Sequence, residues 1–161
     1  MFYLEVKELT LGVLQMGFVD ILKHLLNMFE VDSEQTEIQV NAKKMTNLIL
    51  SNICACAKDI KEMISRETTI IQYFLKCLED GNVALIKETI WCVANLLTNS
   101  SFTVSQNLVG SDYKLLKILF ELLDRDDEVQ ILDHSLECIY RIIVLRGDEQ
   151  KDVGVSSNVN I

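Results

Sequence analysis

Trp91 and Asn95, within the segment KETIWCVANLL at residues 87–97, place the chain's one tryptophan four positions before a bare amide. Residues three or four apart on an α-helix are neighbours, so the two side chains project side by side from one face. An indole offers its π-face to a cation, and an amide offers a donor and an acceptor together. Glu88, three positions before Trp91, adds a carboxylate near the same face. The preceding apolar helix repeats the spacing with Leu48 and Asn52, and has Met45 where Glu88 would stand. The following one has Glu137 and Arg141 in these places. Two plainer roles stay open on the residues alone: core packing for Trp91 and a structural bond between helices for Asn95. Asn is a poor helix former whose amide needs partners when buried, which favours a working surface.

The other reactive residues offer little chemistry. Cys54 and Cys56, two apart on a helix, point to different faces, and His24 and His134 are the only histidines. That is too few ligands for a zinc site. His134, Glu137 and Cys138 suggest a Cys–His nucleophile, but on a helix without a loop or oxyanion donors. No enzyme, metal or cofactor is expected. The five cysteines, an odd number spread through apolar stretches, read as buried free thiols of a reducing, intracellular compartment.

A formal net charge of -9 repels phosphate backbones, which argues against nucleic acid and favours basic partners. No apolar run reaches the roughly 18 to 20 residues of a membrane span, and MFYLEVKELT lacks the pattern of a secretory signal. A soluble, intracellular chain with no membrane partner is expected.

The elements that must position these residues are helical. Proline is absent, only six glycines occur, and apolar residues recur at three and four positions, as in Leu115, Leu116, Leu119, Leu122 and Leu123. Aligning GFVDILKHLL, ETTIIQYFLKCL and YKLLKILFELL sets Leu26, Leu78 and Leu123 in one column. Each is followed by a polar, mostly acidic turn, the first carrying Glu30, Asp32, Glu34 and Glu37, the last DRDDE. A further long apolar helix then starts at Val40, Val83 or Val129. A period of about 40 to 47 residues with two or three helices per unit belongs to the armadillo and HEAT class of solenoid.

The expected fold is therefore an all-α solenoid of about three repeats over residues 1–147, with approximate units 1–35, 36–79 and 80–123 and a last helix at 127–146. Residues 4–16 form a helix that completes or caps the first unit, and Gly17 breaks the chain before the next helix. From Gly147 the periodicity fades, so 148–161 read as a polar tail.

With the repeats in register, KETIWCVANLL, LVGSDYKLLKILFELLDRDDEVQ and LECIYRIIVLRGDEQ resemble the armadillo repeats of importin-α, best at the C-terminal end of that solenoid and over about residues 17–150. The resemblance implies a right-handed superhelix whose third helices line a concave groove for extended basic peptides. It implies Trp91 as a stacking wall, Asn95 and Asn52 as clamps for the peptide backbone, Glu88 as acceptor for a basic side chain and Leu48 as an apolar wall. It further implies nuclear-localisation-type peptides as partners, a role in nuclear protein import, residence in cytoplasm and nucleus, and the family's smaller, C-terminal peptide site. Generic armadillo signals also fit a scaffold that binds another protein segment or assembles with itself.

Overall fold

A computed structural model of the chain describes residues 2–31, 36–125 and 128–156. Asp32 and Glu34 of the first acidic turn, Asp126 and Asp127 of the last, and the end of the expected tail, 157–161, lie outside the described residues.

The described residues form helices joined by short turns. They are α1 (Phe2–Val13), α2 (Val19–Val31), α3 (Glu37–Cys54), α4 (Lys58–Ser65), α5 (Thr68–Leu78), α6 (Val83–Leu97), α7 (Phe102–Val109), α8 (Lys114–Leu123) and α9 (Val129–Ser156). A wide π-type turn, Leu14–Phe18, joins α1 to α2. Inside it Gly17 has φ 88°, the left-handed region that glycine enters most readily. The break expected at Gly17 is therefore present.

Local chemistry starts the long helices. Thr36 and Gln39 form a reciprocal capping box at α3: the Gln39 N–H donates to Thr36 Oγ1 at 3.3 Å, and the Thr36 N–H to Gln39 Oε1 at 3.0 Å. Asn82 caps α6 by accepting the Leu85 N–H at 3.1 Å. Gly110, at φ 64°, ends α7.

Packing repeats as triples. Helix α4 packs on α7, α5 on α2 and α8, and α6 on α3 and α9. The triples α1–α3, α4–α6 and α7–α9 are thus stacked counterpart on counterpart, α1 meeting α4 through the ion pair of Lys7 with Asp59 at 2.9 Å. One apolar cluster runs through all three, from Leu14, Leu22 and Leu26 through Phe74, Ile90 and Leu97 to Leu119, Ile131 and Ile142. A unit that cannot bury its own faces gains a continuous core in this way.

The cuts after residues 35 and 79 fall at the turn before each third helix, which is the most visible mark in the sequence but lies inside a triple. Helix α9 runs through Gly147 to Ser156, where fading periodicity predicts a tail. With no proline in the segment, nothing removes the backbone donors that continue the helix.

By length and composition alone, Val6–Phe29 is apolar enough to cross a membrane, with a mean hydropathy of 1.4; the expectation that no segment qualifies is corrected here. Interrupting charges conceal this from a search for unbroken runs. In the fold Gly17 divides the segment, and Leu14, Leu22 and Leu26 are buried in the shared core.

Gly17→Ala puts a Cβ on a left-handed backbone, so the variant is expected to lose about 1 kcal/mol of unfolding free energy. Urea denaturation measures this; a variant as stable as the wild type would show that the turn relaxes without strain.

Candidate peptide groove

Helix α6 is enclosed by α3, α5 and α9, and its buried residues include Leu85, Ile86, Thr89, Ile90, Cys92, Val93, Ala94, Leu96 and Leu97. Apart from Val83 at its start, what remains accessible is one strip at helical spacing: Ala84, Lys87, Glu88, Trp91, Asn95 and Thr98 just beyond its end. Trp91 is 50% exposed, so core packing, the plainer role left open by the sequence, is not the role it takes.

Trp91 and Glu88 share a groove with Leu48, Ser51 and Asn52 of α3, Lys87 of α6, and Gln130 and His134 of α9. Its volume is about 440 Å³. Four of the five residues expected at the site therefore line one depression. His134 stands perpendicular to the indole, with ring centroids 4.9 Å apart and an interplanar angle of 89°. The slot beside Trp91 is thus walled by an apolar residue on one side and an imidazole on the other.

Lys87 is tied to Glu128 at the start of α9 by an ion pair of 2.6 Å. Glu88 has no ion-pair partner among the described residues, so its carboxylate is the free negative charge of the groove. Asn52 is exposed beside it.

Asn95 stands apart from this group. Its Nδ2 donates to Ser51 Oγ at 2.9 Å and to the Ser51 carbonyl at 3.3 Å. The amide donor that a peptide carbonyl would need is engaged between α6 and α3, which is the structural bond left open by the sequence. Below it, Asn47 Nδ2 donates to Thr89 Oγ1 at 2.8 Å, and Cys92 Sγ donates to the Asn47 carbonyl at 3.0 Å. This seam of polar contacts holds the two third helices in register.

Lys61 of α4, a buried cation, was outside the sequence reading. Its Nζ donates to the Asn95 carbonyl at 2.7 Å and also to the Thr98 carbonyl. A cation there meets the negative end of the α6 dipole and satisfies carbonyls that the helix leaves over. Burial pushes the Lys61 ammonium below its ordinary range, and the charge of Arg141 pushes the same way.

On the third rung, Arg141 Nε and Nη2 both donate to Glu137 Oε1, at 3.0 and 2.6 Å. These residues pair with each other along α9. The Arg141 hydrogen bonds hold the Glu137 carboxyl below its ordinary value.

The thiols are buried except Cys56, which is half-buried. Burial pushes Cys54 up to about 12 and Cys138 higher still, so both are protonated and poor nucleophiles at neutral pH. Among the described residues, no group of three or more His, Cys, Asp or Glu side chains is arranged to hold a metal ion.

The sequence did not mark Ser51, Lys61, Lys87 and Gln130, and it marked His134 only beside Cys138 and not as a groove residue. His134 was legible in principle, because the register of Val83 with Val129 places it in the column of Glu88. Lys61 was not, since its partners lie more than thirty residues away.

No family model and no curated protein matches the chain. Among solved structures, it is similar to a designed armadillo repeat protein in complex with the peptide (KR)4, with a TM-score of 0.67 and 21% identity. The match covers 84% of this chain and 51% of that one, so the chain spans about half the length of the structure it matches. The fold is thus an all-α armadillo-type solenoid. The importin-α resemblance finds support at this level of fold and no further.

Glu137 and Asp59, the latter held low by its hydrogen bond from Lys7, both have folded values below their ordinary 4.5 and 3.8. Their stabilisation is complete above those ordinary values and is lost as pH falls through the lower folded ones. Melting temperature is expected to fall as pH drops below about 4.5, with a shallower fall in Glu137→Gln. Thermal melts between neutral and acid pH check this; equal slopes in the two proteins would rule out a contribution from the Glu137–Arg141 pair.

Proposed function

We propose that the chain is a non-enzymatic adaptor that holds an extended basic segment, of nuclear-localisation type, in the groove across α3, α6 and α9, and that it serves nuclear protein import between cytoplasm and nucleus. The observation that carries this reading is the meeting of half-exposed Trp91 with unpaired Glu88, Asn52 and Leu48 in one open slot. A Lys or Arg stem fits between the indole and Leu48 while its charged end meets Glu88. A cation–π contact of this kind is worth about 0.5 to 2 kcal/mol. The net charge of -9 draws basic segments to the surface. The structural neighbour, a protein of the same fold class, is itself in complex with the peptide (KR)4.

Asn52 supplies the amide for the peptide backbone in this reading, and Asn95 acts through Ser51 to fix the wall that Asn52 stands on. A second reading, an armadillo scaffold for another kind of protein segment without import function, is favoured by the same engaged Asn95 amide and by Lys87 beside the slot.

Titration with a lysine-rich peptide at low salt, followed by Trp91 fluorescence, is expected to give saturable binding that weakens as salt is added. Calorimetry on Trp91→Ala and Glu88→Gln is expected to show about a threefold to thirtyfold loss for each. No response at high micromolar peptide excludes the basic-peptide reading. A partner segment whose affinity is untouched by Trp91→Ala selects the scaffold reading.

A further inference from the structure

The register that aligns Val40, Val83 and Val129 sorts the third helices into columns, and the columns behave differently at the ends of the stack. Asn47 and Ser51 of α3 face α6, as their hydrogen bonds to Thr89 and Asn95 show. Their counterparts on α6, Ile90 and Ala94, are buried, and so are Cys54 and Leu97 of the next column. The counterparts on α9 are Leu136, Tyr140 and Ile143, which are 51%, 67% and 64% exposed. In α8, Phe120 repeats the pattern: it is 57% exposed where its α5 counterpart, Leu75, is buried.

The opposite end shows the complementary fault. Cys92 reaches back from α6 to Asn47, and both it and its α9 counterpart, Cys138, are fully buried. The α3 residue in that column is Ile49, 46% exposed. It lines an apolar depression of about 320 Å³ with Leu9, Leu14, Phe18 and Ile53.

We infer that the chain stacks head to tail with a second copy of itself, the α9 face of one copy seating on the α1–α3 face of the next. The two faces are successive products of the step that already lays α3 on α6 and α6 on α9, so one chain carries both halves of the joint. Size also matches. The internal junctions have Ser51 and Ala94 in the column where the end face has Tyr140, a bulky side chain that needs a receiving depression. The Ile49 face supplies one. Such a contact is heterologous and does not close on itself, so association adds copies with rising concentration. It also sets Leu48 and Asn52 of one copy beside Glu137 and Arg141 of the other, which lengthens the concave face. The inference does not depend on what the groove binds.

Sedimentation of the full chain from low to high micromolar concentration tests it. The weight-average mass is expected to rise to at least twice that of one chain, and Tyr140→Asp and Ile49→Asp are each expected to stay monomeric. Both side chains lie outside the monomer's closed core, and circular dichroism confirms retained helix; Ile143→Asp and Met45→Asp, the latter at a residue 61% exposed one helical turn before Ile49, serve if either fails to fold. An equimolar mixture of the two variants is expected to form a dimer that grows no further, because one intact face remains on each. A wild type that stays monomeric at high micromolar concentration overturns the inference. So does self-association of Ile49→Asp alone, which would mean two α9 faces pairing symmetrically.

Discussion

Burial of α6 on three sides is the constraint from which the rest of the structure follows. Its flanks are taken by α3 and α9 and its inner side by α5, so one helical strip is left to face solvent. Apart from Thr89, apolar side chains at the buried positions supply the core that the stack shares, at roughly 25 cal/mol per Å² of apolar surface removed from water. The same enclosure gives Trp91 its orientation. A tryptophan one or two positions away along the helix would be core, as Thr89, Ile90, Cys92 and Val93 are, whereas at position 91 it stands half in solvent against His134.

Enclosure also obliges polar groups near the strip to find partners. The Asn47 Nδ2 group, Thr89, Cys92, Ser51, Asn95 and Lys61 meet this need by bonding across helices rather than to solvent. A buried polar group left unpaired costs about 1 to 3 kcal/mol, so these contacts penalise any slip of α3 along α6 more sharply than apolar packing alone. The seam therefore specifies register. It also consumes the Asn95 donor, which divides the two amides by role: Asn95 belongs to the joint, and Asn52, one unit earlier and exposed, is the amide available to a ligand.

Much of the fold was legible because it rests on local physics. A proline-free chain with apolar residues at three and four positions reads as helix, Gly17 reads as a break, and the columns of Leu26, Leu78, Leu123 and Val40, Val83, Val129 mark the repeat. The groove was legible as a face, since spacing alone places Glu88, Trp91 and Asn95 on one side of α6. What escaped depends on distance or direction. Periodicity cannot show which way an amide points, so the Ser51 contact of Asn95 was hidden. It cannot show that Lys61 reaches the end of α6 from another helix, or that the helix of α9 persists through Gly147 once apolar spacing fades. Nor does one repeat's pattern reveal that the same column is core in the middle of a stack and surface at its end, as Ala94 and Tyr140 are.

The arithmetic of a short ladder limits what one chain can hold. In the proposed reading, one indole and one carboxylate without an ion-pair partner among the described residues would give a single basic slot, and the next rung spends its charges on the Glu137–Arg141 pair. A contact of about 0.5 to 2 kcal/mol at that slot falls well short of the roughly 8 kcal/mol that micromolar affinity represents. The remainder must come from backbone contacts and from the long-range field of a chain with net charge -9, which salt screens over about 10 Å at 0.1 M. Affinity in such a groove therefore grows with the number of rungs a ligand meets at once, since each further rung acts on an already tethered segment. Under the proposed stacking and the proposed peptide binding, stack length and ligand affinity would be one physical quantity, and the apolar faces at the ends of α3 and α9 would bear on binding as directly as Trp91.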